Sequence, residues 1–337
     1  MNPKELVYEA INHRETEFLP YTIEFESETI EKYKEYYEIW NKKIKNHILR
    51  VAPIDPEKRQ MINEEYVKDI YGSIWRIDLK PMHLEKPALT EPDFKNYNFP
   101  KIDEFIDNER MQEVERVINE NKDKFIVASF GFGLFERTWT ICGFENALMW
   151  SITEPDFYEE LLDNILKLQS DFIDICLKFG VDGIMFSDDW GDQRGVILGP
   201  ERWRKFIKPR VAKLYEKVKK AGKFVLSHCC GSVFDIMDDI VEIRLDVLQS
   251  VQPEARNMNP YNLKKRYGEK IAFWGGLGSQ SIIPFGKSED LKNEIKRLCK
   301  EMGKSGGYIL GCAKPIRPET PVENINVIVE TFTNQNF

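Results

Sequence analysis

The residues best suited to chemistry are His228, Cys229 and Cys230, which end the short apolar run Phe224-Val225-Leu226 and stop at Gly231. Ala221-Gly222 closes a helical stretch just before it, so the run reads as one strand of a parallel sheet. Side chains two apart on a strand share a face, so His228 and Cys230 aim into one space while Cys229 turns away. Gly306-Gly307-Tyr308-Ile309-Leu310-Gly311-Cys312 repeats the design: a small-residue turn, a buried strand, a thiol at its end. One imidazole and two thiolates suit Zn²⁺, with Zn–S at about 2.3 Å and Zn–N at about 2.0 Å, and a fourth position open in a catalytic site.

Each of these groups also has a plainer role open to it. A buried cysteine is commonly a small hydrophobe, the role expected of Cys142, Cys176, Cys229 and Cys299. Asp188 and Asp189 can either floor the pocket as catalytic acids or cap the helix that follows. Glu254 is a loop acid or a labile fourth oxygen ligand that leaves when substrate arrives. His13, His47 and His83, in polar or proline-rich surroundings, read as surface or structural residues.

Length and composition bound what must position these groups. A chain of 337 residues with 42% hydrophobic residues can build one extensive core. Six cysteines without short regular spacing suggest reduced thiols rather than a disulfide framework. A net charge of −8 and a pI near 5.4 argue against a nucleic-acid or anionic-membrane binder. The polar start Met1-Asn2-Pro3-Lys4-Glu5 and the lack of a long apolar run lead us to expect a cytoplasmic protein.

Leu6 to Ile11 reads as a short helix and Glu17 to Phe25 as the first strand, with Glu24, Glu26 and Glu28 at its end. A charged helical stretch follows (29–51), then a hairpin around Tyr71 to Asp78 and a proline-rich connection (81–100). With no Ser/Gly linker, residues 1–337 read as one domain in which 27–124 is insertion and connection. From residue 101 helices alternate with strands at 125–130, 183–187, 224–226, 245–251, 270–274 and 306–312. A last helix is expected to start at Thr320-Pro321-Val322-Glu323, read as a capping box.

Such alternation implies a parallel sheet with right-handed crossovers. Seven strands are legible, and either a (β/α)₈ TIM barrel or an open doubly wound sheet fits that number. Polar residues gather after one end of every strand: Glu136 and Arg137, Asp188 to Gln193, Gln249 to Glu254, Cys312. That habit belongs to the barrel. The glycine fingerprint of a Rossmann fold is missing after the first strand. Glu24, Glu26, Gln193, Gln249 and Trp274 occupy the same ends and are expected to line the substrate.

His228-Xaa-Cys230-Gly231, Gln249 to Gln252, Phe273-Trp274-Gly275-Gly276, Cys312 and Thr320-Pro321-Val322-Glu323-Asn324-Ile325 resemble the uroporphyrinogen decarboxylase superfamily. Within it they are most similar to the zinc-dependent, corrinoid-linked methyltransferases, from the Asn12-to-Pro20 segment to the terminal helix. The resemblance implies a TIM barrel in which His228, Cys230 and Cys312 are the zinc ligands. It also implies methyl transfer between a methylcobalamin-type corrinoid and a small substrate, either a thiol acceptor or a methoxylated donor as in O-demethylation. The chain has no Asp-Xaa-His-Xaa-Xaa-Gly cobalamin stretch, so the corrinoid is expected on a separate partner protein. The decarboxylase branch is disfavoured because Glu24, Glu26 and Glu28 would repel a many-carboxylate macrocycle and because that reaction leaves the His-Cys…Cys set idle. A non-catalytic zinc-binding barrel, with a closed four-ligand site, is the remaining alternative.

Overall fold

The structure, a computed structural model, describes residues 1–336. Among the described residues twelve strands form two sheets. They are β1 (Tyr21–Thr22), β2 (Ile48–Val51), β3 (Arg59–Met61), β4 (Tyr66–Asp69), β5 (Ile74–Arg76), β6 (His83–Lys86), β7 (Phe125–Phe132), β8 (Gly183–Ser187), β9 (Phe224–His228), β10 (Val247–Ser250), β11 (Ala272–Leu277) and β12 (Tyr308–Cys312). Eight lie in the order β1-β12-β11-β10-β9-β8-β7-β2, every ladder parallel, with helices in the crossovers. This is the expected (β/α)₈ barrel.

The eighth strand is β2, within a stretch that reads as helix from sequence. The helix actually ends at Lys43, and Ile48 to Val51 pair with Phe125 to Ala128. Side chains close the seam between β1 and β2. His47 N–H donates to the Tyr21 carbonyl at 3.1 Å, and its Nδ1 accepts the Tyr21 N–H at 3.0 Å. The Asn46 amide bonds both Ile23 N–H and C=O, at 2.8 and 3.0 Å. His47 is therefore a structural residue and a buried one.

That arrangement has a consequence for pH. Burial first, and Lys124 second, push His47 down to about 4. Its neutral form is the one that accepts from Tyr21. Because the folded value lies below the unfolded one, the seam's contribution is complete above the ordinary histidine range. It is lost as pH falls from there toward 4, where the folded form also takes the proton. The loss is on the order of 3 kcal/mol. Thermal unfolding across that window should slope less steeply in His47→Asn, whose Oδ1 accepts in the same place but cannot titrate; identical slopes would remove His47 from the seam.

Inward side chains fill the barrel: Ile48, Phe125, Val127, Met185, Leu226, Val247, Ala272, Trp274 and Ile309. Val7, Ala10 and Ile11 of helix Pro3–Ile11 close it from below. That helix starts at a capping box in which Asn2 and Glu5 satisfy each other's N–H groups. Outside, helix Pro155–Leu177 buries Leu161, Leu162, Ile165, Leu168, Phe172 and Ile173 at helical spacing. Each buried Leu or Phe of this kind stabilises by about 2 kcal/mol. The expected box at Thr320 does not form: Pro321 is the cap residue, the helix runs Val322–Thr333, and Thr320 Oγ1 is buried without a partner.

β3 to β6 make the second, antiparallel sheet, with the expected hairpin turning at Gly72 (φ +98°). Residues 27–124 thus hold a barrel strand as well as this elaboration. Arg137, fully buried in helix Leu134–Cys142, ties the sheet to the barrel by lying 4.0 Å over the Tyr71 ring and pairing with Glu57. Among the described residues no helix is long and apolar enough to cross a membrane.

Candidate metal centre

β9 delivers His228 level with Ser187 on β8 and Gln249 on β10. Past the strand, Gly231 adopts φ +70°, and a Cβ there would lie 2.5 Å from the Asp192 carbonyl oxygen. Only glycine turns the chain so tightly against that loop. The Gly231 N–H is held by Gln252 Oε1 at 2.6 Å, which fixes the turn carrying Cys230.

His228 Nε2 stands 3.0 Å from Cys230 Sγ and 3.7 Å from Asp189 Oδ1. Asp189 Oδ1 also accepts the Cys230 N–H at 2.7 Å. One ligand atom from each of Asp189, His228 and Cys230 falls within 4.8 Å of the others. Tetrahedral zinc would separate its nitrogen and sulfur by about 3.5 Å, so a small opening of the His228–Cys230 contact admits the ion. The tautomer is already suitable. Gln249 Oε1 faces Nδ1 of His228, which favours the tautomer with its proton on Nδ1 and the Nε2 lone pair toward Cys230 and Asp189.

Burial pushes the His228 imidazole below the usual histidine range, partly offset by Asp189 and Gln249. Burial, then Asp189, pushes the Cys230 thiol up to about 12. Both shifts disfavour charge in a low-dielectric site, and a bound dication reverses that balance for the thiol. Cys229 faces away as expected: Trp190 N–H donates to its sulfur at 3.2 Å.

The other expected residues divide. Asp188 turns under the barrel wall and accepts from Phe135 N–H (3.0 Å), Glu136 N–H (2.8 Å) and Trp190 Nε1 (2.7 Å). It therefore caps helix Leu134–Cys142, not the helix that follows it. Burial raises Asp188 to about 6. Burial, followed by the Asp188 and Asp189 charges, raises Glu136 to about 9, which favours its neutral form. Glu254 Oε1 accepts from Gln280 N–H and the Ser281 hydroxyl, and Oε2 is buried without a partner. Gln193 is exposed; its carbonyl accepts from Arg256. Trp274 is buried, with Nε1 donating to Thr22 at 2.9 Å.

Cys312 ends β12, three strands from β9, and lies outside the three-residue group. Strand alternation puts it on one face with Tyr308 and Leu310, in the layer between barrel and helices. Burial, then Glu24, raises its thiol to about 12. The acids after β1 are not a bare negative rim. Glu24 pairs with Arg50 at 3.5 Å, Glu26 with Arg317 at 3.6 Å and Glu28 with Lys80 at 2.6 Å, so the repulsion expected of them is largely compensated.

Two cations escape a reading of the sequence. The Lys314 charge favours thiolate at Cys230, and Arg50 lies over the Trp274 ring. Lys314 follows Cys312 by two residues, the one signal for it; Arg50 is hidden with β2.

Fold and centre together define a (β/α)₈ barrel with a group able to hold a metal at the carboxyl ends of its strands. The chain belongs to the uroporphyrinogen decarboxylase (URO-D) family, whose profile matches residues 74–335. A uroporphyrinogen decarboxylase of Thermus thermophilus is 24% identical over 185 residues, 55% of this chain and 50% of that protein. The chain thus spans about half the length of the first curated relatives it matches. The Rickettsia massiliae uroporphyrinogen decarboxylase is 22% identical over 270 residues, covering 76% of this chain and 73% of that one. Among solved structures, a methyltransferase from Methanosarcina mazei superposes over 98% of both chains with a TM-score of 0.70 at 17% identity, a likeness of fold.

Proposed function

We propose that the protein is a zinc-dependent methyltransferase that moves a methyl group between a corrinoid on a separate protein and a small thiol or methoxylated substrate. The observation that carries this reading is the presented Nε2 of His228, locked by Gln249 and converging with Cys230 and Asp189. A porphyrinogen decarboxylase without a metal has no use for an imidazole held in the ligand tautomer beside a thiol.

When bound, zinc supplies Lewis acidity toward a thiol sulfur or an ether oxygen. The chain does the rest. His228, Cys230 and Asp189 would hold the ion, and Cys312 would serve as a second thiolate only by turning from the outer face of β12. Lys314 lowers the cost of thiolate at Cys230, and burial favours the neutral form of Glu136 near Asp189. The proton released by Cys230 on metal binding goes to solvent through the half-exposed side of the cluster.

Metal-independent decarboxylation is the second reading, favoured by the names of the curated relatives and by the basic partners of Glu24, Glu26 and Glu28. One experiment separates the two. The protein is incubated with methylcobalamin or Co(I) cobalamin and a panel of thiols and methoxylated aromatics, and in parallel with uroporphyrinogen, with and without chelator. Zinc-restored methyl transfer, read from the cobalamin spectrum, is expected. Chelator-insensitive loss of carboxylates from the porphyrinogen, with no spectral change of cobalamin, would establish the decarboxylase instead.

A further inference from the structure

In a chain of net charge −8, the barrel mouth around His228 sets Arg50 among the acids Asp189 and Glu24. Arg50 stands two residues beyond the inward-facing Ile48 on β2, so it too points into the barrel. Its guanidinium carbon lies 4.9 Å from the centroid of the Trp274 ring. Trp274 is level with His228, since His228 pairs with Gln249 and Gln249 with Trp274. The indole is itself fixed by its bond to Thr22. The ring face attracts the guanidinium and leaves its N–H donors for a partner.

The partner that Arg50 has is a poor one. Glu24 meets it at 3.5 Å, with the two side chains 33% and 35% exposed. A long, solvated pair contributes little, whereas a free carboxylate can engage the guanidinium fork through two parallel bonds. Glu24 thus occupies, loosely, the place of a better carboxylate.

We infer that Arg50, seated over Trp274, forms an anion-recognising end of the site, and that the substrate is a small organic carboxylate. The nature of its reacting group, a thiol or a methoxyl, rests on the methyltransferase reading; the carboxylate anchor does not. Glu24 acts as an internal competitor that releases Arg50 when the substrate arrives. Thus the acid expected to bind substrate instead opposes it.

Calorimetric titration with matched pairs tests the anchor without turnover: mercaptoacetate against mercaptoethanol, and para-anisate against para-anisyl alcohol. In the wild-type protein the carboxylate of each pair relevant to the site should bind at least about tenfold tighter than its neutral partner. Arg50→Met should erase that preference, while Glu24→Gln should tighten the carboxylate alone. Melting temperatures identical to wild type would show that Arg50→Met is folded. Equal binding of acid and neutral partner in wild type, or a preference that survives Arg50→Met, overturns the anchor. A methyl-transfer assay on the neutral partners keeps the two ideas apart. Transfer without any carboxylate preference sinks the anchor alone, and a preference without transfer sinks the reaction alone.

Discussion

His228→Ala and Cys230→Ser are each expected to lower zinc affinity by more than about a hundredfold, while Cys229→Ala leaves it intact. The contrast follows from strand register. His228 and Cys230 lie on one side of the chain 3.0 Å apart, and Cys229 is engaged by the Trp190 N–H behind the wall. Gln249→Ala should have an intermediate effect, about tenfold or more, because it releases the ring without removing a ligand. Zinc per chain after dialysis, followed by competition with a chromogenic chelator, measures all four. Affinity should also climb as pH rises through neutrality, because burial holds the Cys230 thiol up to about 12 and the metal must displace its proton. Retention of zinc by Cys230→Ser with loss in Cys229→Ala would mean the register is wrong.

The part of this centre that sequence reveals is the part written in period two. His228, Cys230 and the outward Cys229 need only a strand ending where apolar residues stop. Asp188 and Asp189 lie just past Ser187, where the strand has ended and alternation no longer tells which carboxylate turns inward. Only side-chain partners separate them: Asp188 takes two helix N–H groups and an indole, and Asp189 takes the Cys230 N–H. β2 was illegible for a similar reason. Its inward positions are Ile48 and Arg50, one apolar and one charged, so the half-buried pattern fails over four residues that follow a Lys- and Tyr-rich helix. With β2 went Arg50, and with it the compensation of Glu24. The seam at His47 likewise depends on a pairing of Tyr21 with His47, remote in register from any sequence signal.

Cys312 is where family resemblance and geometry diverge, and counting sulfurs separates them. The thiol is buried on the Tyr308–Leu310 face, yet the charge of Lys314, two residues on, is felt at Cys230. A dication offsets the desolvation that keeps both thiols protonated, and a second thiolate neutralises its charge better than the half-exposed Asp189. Cobalt-substituted protein should therefore show two thiolate ligands in its charge-transfer absorption, and Cys312→Ser should show half that intensity with weakened binding. Asp189→Asn should keep both sulfurs and alter chiefly the exchange of the oxygen ligand. If wild type shows one sulfur, and Asp189→Asn loses metal as fully as His228→Ala, the site is Asp189, His228 and Cys230 as they stand, and Cys312 is a buried thiol of the barrel wall.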